Sequence, residues 1–247
     1  MNTQRILQAS AHRPWPLPER PWTMQQTWRN LLFAHWPLAP ARLRPLIPEV
    51  LELDLHDGQA WVAVTPFRIT GLRMRGLPPL PGSSNFLELN VRSYVRYQDR
   101  PGVFFFSLDA ASLLAVLGAR ASYHLPYYYA RMRQNAVVTG FDYSSRRRGK
   151  TKAELVAHYT PVAEVQPPRP GSLEQWLVER YCLYAPYKRR LYRADIHHVP
   201  WPLQEAKAEF EVNTMTAAAG IELPQVNPLC HFARELDVLV WALERLL

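Results

Sequence analysis

Residues 88–92 place a carboxylate, an amide and a guanidinium at alternate positions, with Glu88, Asn90 and Arg92 separated by Leu89 and Val91. Successive side chains of an extended chain face opposite ways. The three polar groups therefore share one face, and Leu87, Leu89 and Val91 the other. The ordinary reading of such a set is a half-buried strand with its polar face in water. The functional reading lines the inside of a barrel with groups that grip a polar ligand, as small barrels can. Further on, Tyr127-Tyr128-Tyr129 puts phenols on both faces of a strand, so at least one should reach an interior. A buried tyrosine commonly packs its ring and satisfies one hydroxyl bond. The alternative is a hydrogen-bond donor or acid acting on a ligand carbonyl.

Amine chemistry has few addresses. Of 29 Lys and Arg residues only four are lysines: Lys150, Lys152, Lys188 and Lys207. Arginine cannot replace them as a nucleophile, because it does not readily lose its proton. Lys150 and Lys152 lie in Arg146-Arg147-Arg148-Gly149-Lys150-Thr151-Lys152, Lys188 adjoins Arg189 and Arg190, and Lys207 stands between Glu205 and Glu209. Charge runs of this kind are usually solvated faces. The 146–152 run is also the candidate surface for nucleic acid or anionic lipid. Base stacking would want interleaved aromatics, and Tyr143 is the close one, so nucleic acid is not expected.

Two adjacent strand residues such as His197 and His198 face opposite ways and do not readily share a metal, and no metal or cofactor is expected. Cys182 and Cys230 are too few for a disulfide framework or a four-thiolate site. Cys182 is expected to be buried and inert within a helix. The sequence has no Gly-x-Ser-x-Gly, phosphate-binding glycine loop or dinucleotide fingerprint.

The elements that position these groups read as mainly β. Extended segments are expected at 28–36, 59–69, 86–97, 103–109, 119–125, 127–135, 139–143, 152–159, 189–197, 206–212 and 236–241. His56-Asp57-Gly58 reads as the turn of a hairpin between 51–55 and 59–69, and residues 71–82 as a long Pro-rich loop. The apolar run 104–109 reads as a central strand, and 145–151 as a basic hairpin tip. Short helices are expected at 40–46, at 112–117, from Ser172 with a capping-box Gln175, and at 213–219. No alternating strand-helix rhythm is present, so a mostly antiparallel sheet or barrel follows. The chain has 247 residues, 48% hydrophobic, which excludes global disorder and suits one large domain. Residues 1–22, broken by Pro14, Pro16, Pro18 and Pro21, read as a Pro-rich mobile tail before a single domain at 23–247, and not as a signal peptide. No apolar run approaches a membrane span. A net charge of +8 favours anionic partners, and the cysteine usage suits a cytoplasmic protein.

The sequence resembles the YqjF-like bacterial family of unknown function, placed in the acetoacetate decarboxylase-like superfamily. The stretches that carry the resemblance include LLFAHWPL (31–38), AWVAVTPFRI (60–69), LPPLPG (77–82), FLELNVRSYV (86–95), FFSLDA (105–110), ERYCLY (179–184), IHHVPWPL (196–203) and FARELDVLVW (232–241). The resemblance implies an acetoacetate decarboxylase-like antiparallel β-barrel with a few short helices. In the decarboxylase, a strand glutamate, a strand-end aspartate and a Gly-Arg-Glu-x-x-Gly-x-Pro-Lys-Lys motif surround the substrate, and the first lysine forms an imine. Here Glu88 falls at the glutamate, Asp109 at the aspartate, Arg120 at the motif arginine and Pro126 at the proline. Ala121 replaces the motif glutamate, His124 the second glycine, and Tyr127 and Tyr128 the two lysines. A phenol forms no imine, so decarboxylation of that type is excluded at this position.

Three functions are then weighed. In the first, the barrel binds an anionic or carbonyl-bearing metabolite and performs lyase or enolisation chemistry without an imine. Glu88, Tyr127 and Tyr128 are the candidate catalytic residues, and Asn90, Arg92, Arg120 and His124 the candidate ligand contacts. The second keeps the pocket without catalysis, as a sensor or carrier. The third acts through the basic surface at 146–152. A homo-oligomer is compatible with all three.

Overall fold

The computed structural model describes residues 3–247. Its strands are β1 (Met24–Leu38), β2 (Glu52–Leu53), β3 (Ala60–Met74), β4 (Phe86–Tyr97), β5 (Arg100–Ala110), β6 (Tyr127–Val137), β7 (Gly140–Arg147), β8 (Glu154–Pro161), β9 (Cys182–Tyr187), β10 (Arg190–His197), β11 (Gln204–Asn213), β12 (Leu229–Val240) and β13 (Glu244–Arg245). The helices are α1 (Thr3–Gln8), α2 (Pro40–Leu43), α3 (Leu113–Tyr123) and α4 (Leu173–Val178). Among the described residues, no helix is long and apolar enough to cross a membrane.

The strands form one sheet that meets itself twice, through the pairings β5–β4 and β10–β12. The result is two rings with a common wall. Nine strands, β4-β5-β6-β7-β8-β11-β12-β1-β3, close the first ring, and seven, β5-β9-β10-β12-β1-β3-β4, close the second. Side-chain alternation divides the wall between them. Leu87, Leu89 and Val91 of β4 enter the core of the nine-strand ring with Leu32, Phe141, Tyr159 and Phe232. Phe86 and Tyr94 enter the core of the seven-strand ring with Phe33, Phe67, Leu108 and Leu183. β4 is thus buried on both faces from Phe86 to Val95, and its polar residues do not face water.

Several elements differ from the sequence reading. Residues 119–125 were expected as a strand, but 113–123 form α3, capped by the Ser112 hydroxyl accepting from Ala115 N at 3.3 Å. The alternation of Arg120, Ser122 and His124 mimics a strand, yet Leu113, Leu114, Ala115 and Leu117 are strong helix formers behind a good cap and outweigh Gly118. Because α3 carries the chain across from β5, β6 runs parallel to β5, as β9 does. The turn at Asp57-Gly58 is present, with φ of 48° and 76°. It is closed by His56 N to Gln59 O at 3.0 Å and Gln59 N to His56 O at 2.9 Å, but the hairpin stops at that pair, because Glu52 and Leu53 pair with β4 rather than β3. β3 continues to Met74, past the glycine expected to open the loop. Cys182 begins strand β9 rather than sitting in a helix, and it is buried, with its thiol pushed up to about 12 by burial.

Residues 3–22, the described part of the segment set apart as a tail, lie docked on the strands. Ile6 packs on Leu239 and Trp241, Arg13 donates to Ile196 O at 2.7 Å, and Trp241 Nε1 donates to Arg20 O at 2.7 Å.

Candidate functional site

The seven-strand ring is not filled. It encloses a cavity of about 440 Å³ whose walls are mostly apolar, from Trp28, Leu31 and Phe33 of β1, Phe67 and Ile69 of β3, Phe86 of β4, and Phe105 and Leu108 of β5. Into this apolar space β4 sends Glu88, Asn90 and Arg92. Thr65 faces Asn90 across the β3–β4 ladder, and Phe67 faces Glu88.

Arg92 is buried at 8% exposure and has no carboxylate within ion-pair distance among the described residues. Its Nε and Nη2 lack hydrogen-bond partners. The guanidinium instead lies 5.1 Å from the Phe33 ring centroid and 5.8 Å from that of Tyr94. Aromatic faces offset only part of the cost of burying a cation, which is several kcal/mol after relaxation. Other unpartnered polar atoms lie on the same walls: Thr65 Oγ1, Asn90 Oδ1, Trp28 Nε1, Arg180 Nη2 and His198 Nε2. A folded protein rarely buries so many unmatched groups together unless something else meets them.

Glu88 behaves differently. Burial pushes its carboxyl up to about 8, against a smaller downward pull from the Tyr127 hydroxyl, which donates to Oε2 at 2.9 Å. Near neutral pH the group is chiefly a neutral acid. Burial and the neighbouring Glu88 hold the Tyr127 phenol well above its ordinary value, so it stays a donor. His198 is pushed down to about 3 by burial and is neutral. Its Nδ1 meets Val199 O at 2.8 Å, which places the proton there and leaves Nε2 as an acceptor on the cavity wall. Arg180 is satisfied on one side by Asp54.

Of the residues singled out in the sequence, the structure brings Glu88, Asn90, Arg92 and Tyr127 to the cavity and leaves three outside. Tyr128, next to Tyr127 on a strand, faces the other way, with Arg147 4.0 Å and Arg120 5.8 Å from its ring centroid. Arg120 is exposed on α3, donating to Tyr127 O at 2.7 Å. His124 ends α3 in a left-handed conformation, φ 54°, and stacks on Tyr187 at 4.0 Å. All four lysines are exposed and none lines the cavity. Arg147, read as part of the basic tip, is 2% exposed and pairs bidentately with Asp109, while Arg146 pairs with Glu154 at 2.8 Å. One charge of that run is thereby withdrawn into the interior, and a second is paired at the surface. Thr65, Arg180 and His198 were missed as pocket residues. They come from separate segments, and only the ring closure brings them together.

The family DUF2071, described as an uncharacterized conserved protein, matches residues 25–237. The chain is 50% identical over 229 residues to the uncharacterized protein YqjF of Bacillus subtilis, covering 93% of this chain and 95% of that one. Among solved structures, the enduracididine biosynthesis enzyme MppR aligns at TM-score 0.66 and 14% identity over 92% of this chain and 90% of that one. That copy holds the condensation product of pyruvate and imidazole 4-carboxaldehyde, and another, at TM-score 0.65, holds pyruvate. Acetoacetate decarboxylase from Legionella pneumophila aligns at TM-score 0.61 and 15% identity over 100% of this chain and 96% of that one. The fold is therefore acetoacetate decarboxylase-like, with a ring-like sheet.

Proposed function

The chain belongs to the DUF2071 family, and from that premise we propose that the cavity of its seven-strand ring takes an organic acid bearing a carbonyl group. Arg92 would hold the carboxylate, and Tyr127 with Glu88 the carbonyl oxygen. The observation that carries this reading is the buried Arg92 guanidinium without an anionic partner. A carboxylate is the ligand group that matches its paired donors. Thr65 Oγ1, Trp28 Nε1 and Arg180 Nη2 offer further donors, and Asn90 Oδ1 and His198 Nε2 would accept from a hydroxyl group on the acid. The pyruvate seen in a structural neighbour belongs to the same ligand class.

The pocket also suits proton transfer. The ionised fraction of Glu88 would take a proton from the carbon next to the carbonyl, and the electron pair would move onto the carbonyl oxygen; the Tyr127 hydroxyl, which donates to Glu88 Oε2 beforehand, would turn to that oxygen as Glu88 becomes protonated. With its carboxyl near 8, Glu88 can both accept and return that proton close to neutral pH. This is enolisation chemistry and needs no amine. A carrier or sensor would use the same contacts without turnover, and Arg92 then serves binding alone.

Titration calorimetry with pyruvate and acetoacetate, on wild type and on Arg92→Met, tests the reading. Binding to wild type should weaken at least tenfold in the variant, since a desolvated ion pair would be lost. Equal affinities, or no binding to wild type, would remove Arg92 from the role. Solvent-deuterium exchange into the bound acid, present in wild type and absent in Glu88→Gln, separates an enzyme from a carrier.

A further inference from the structure

The cavity is much larger than a three- or four-carbon acid needs. Its 440 Å³ equals the liquid volume of roughly fifteen water molecules. The register of β4 also gives it an inside and an outside. Alternate residues lie about 7 Å apart along a strand, so the row from Arg92 through Asn90 and Glu88 to Phe86 spans about 20 Å.

The Arg92 end is blind. Beyond it Tyr94 is buried under Trp176, with ring centroids 4.9 Å apart. At the other end Phe86 pairs with Ile69 across the ladder. The wall then continues through Met74 and Leu80 to Leu114 of α3. Leu80 and Leu114 line the cavity and are nevertheless 63% and 66% exposed, which locates the mouth between α3 and the 75–85 loop. Gly118, one helical turn beyond Leu114, lines the same opening, and a Cβ built there would meet nothing within 4 Å. The unpartnered charge of the row, Arg92, sits deep, and the outer third is mainly apolar, with Ser83 and Ser122 the polar side chains beside Met74, Leu80, Phe86 and Leu114. A ligand that matched the polar groups alone would leave that outer third in water.

We infer that the natural ligand is an amphipathic carboxylic acid, seated carboxylate inward at Arg92 with a medium-length apolar body running past Phe86 to the mouth at α3. The inference rests on the proposed carboxylate site and adds the chemical class of the ligand's remainder. The apolar body would cover Leu80 and Leu114, the two exposed leucines that line the cavity, and remove their surface from water. It also makes α3 and the 75–85 loop the specificity elements, because both walls of the mouth lie outside the ladder hydrogen bonds of the sheet.

A chain-length series decides the matter. Butanoate, hexanoate, octanoate and decanoate are titrated into the full chain by calorimetry, with octanol and methyl octanoate as uncharged controls. Affinity should rise roughly threefold to fourfold per added methylene until the cavity is filled, and both controls should bind at least tenfold more weakly than octanoate. Gly118→Phe should cut octanoate affinity at least tenfold and leave butanoate unchanged. Leu114→Asp, at an exposed position, is the second variant should the first fail to fold, with the same expectation. Affinity that depends on Arg92 but not on chain length overturns the amphipathic ligand and keeps the carboxylate site. Affinity that grows with chain length but ignores Arg92 and the uncharged headgroups overturns the carboxylate site, and the inward carboxylate with it.

Discussion

The two rings share a wall and differ in how they treat charge. Inside the nine-strand ring, Arg147 and Asp109 are 2% and 0% exposed and meet through Nε and Nη2 at 2.7–3.0 Å, with the Tyr128 ring against the guanidinium. Inside the seven-strand ring, Arg92 is buried to nearly the same degree, also lies against aromatic rings, and has no acid. The available acid on its strand, Glu88, stands two pleats away and is held largely neutral by burial. Burial alone therefore does not distinguish the ring expected to bind from the ring that supports it. The distinction is whether the interior completes its own electrostatics.

The largest way to break this contrast is to make the supporting ring incomplete too. Asp109→Asn leaves Arg147 buried without its counter-charge and should cost about 3–5 kcal/mol in urea unfolding. A loss below 1 kcal/mol would mean that the two arginines are not differently placed after all.

Glu88 sharpens the contrast through pH. In the unfolded chain its carboxyl ionises near 4.5, and in the fold only near 8, so the folded protein holds one more proton between those values. The state that binds more protons loses ground as pH rises, so this residue subtracts stability from about pH 4.5 to 8, at up to about 1.4 kcal/mol per unit. The stability of Glu88→Gln relative to wild type should therefore climb across that window in denaturant titrations. A flat difference would place Glu88 in a wetter setting than the structure gives it.

A smaller effect is expected at Arg92. Removing an unmatched cation should leave stability unchanged or raise it by up to about 2 kcal/mol, as functional groups held at a cost often do. A loss of several kcal/mol in Arg92→Met would make the residue structural. The smallest expected effect is none: borohydride trapping with pyruvate or acetoacetate should add no mass, because every lysine lies outside the cavity. A stable adduct on any lysine would reopen imine chemistry.

Much of this contrast was legible in the alternation of 86–92, which divides Glu88, Asn90 and Arg92 from Leu87, Leu89 and Val91. What alternation does not encode is whether the polar side meets solvent or an enclosed space, because the spacing is the same for both. Only the closure of the sheet, made by pairings such as β4–β5 between strands and β10–β12 across the chain, answers that. Arg147 was misread for a related reason. A run of basic residues looks uniformly solvated, yet alternation within β7 sends Arg146 out and Arg147 in. Arg120 and His124 were candidates because they fall on the motif positions that the resemblance implies, and the capped helix α3 carries both outside the cavity. The run Tyr127-Tyr128-Tyr129 promises an inward phenol whichever face is inner, and Tyr127 is the one that lines the cavity.

The parallel register of β5 and β6 sets Leu108 beside Tyr127 and Asp109 beside Tyr128. Two adjacent codons thus report to different chambers. The first answers to whatever occupies the cavity, where its phenol meets Glu88. The second answers to the integrity of an ion pair in the neighbouring core. A change at the first alters what the cavity accepts, while a change at the second disturbs the packing against Arg147. One strand can in this way change its chemistry over evolutionary time with its scaffold left intact.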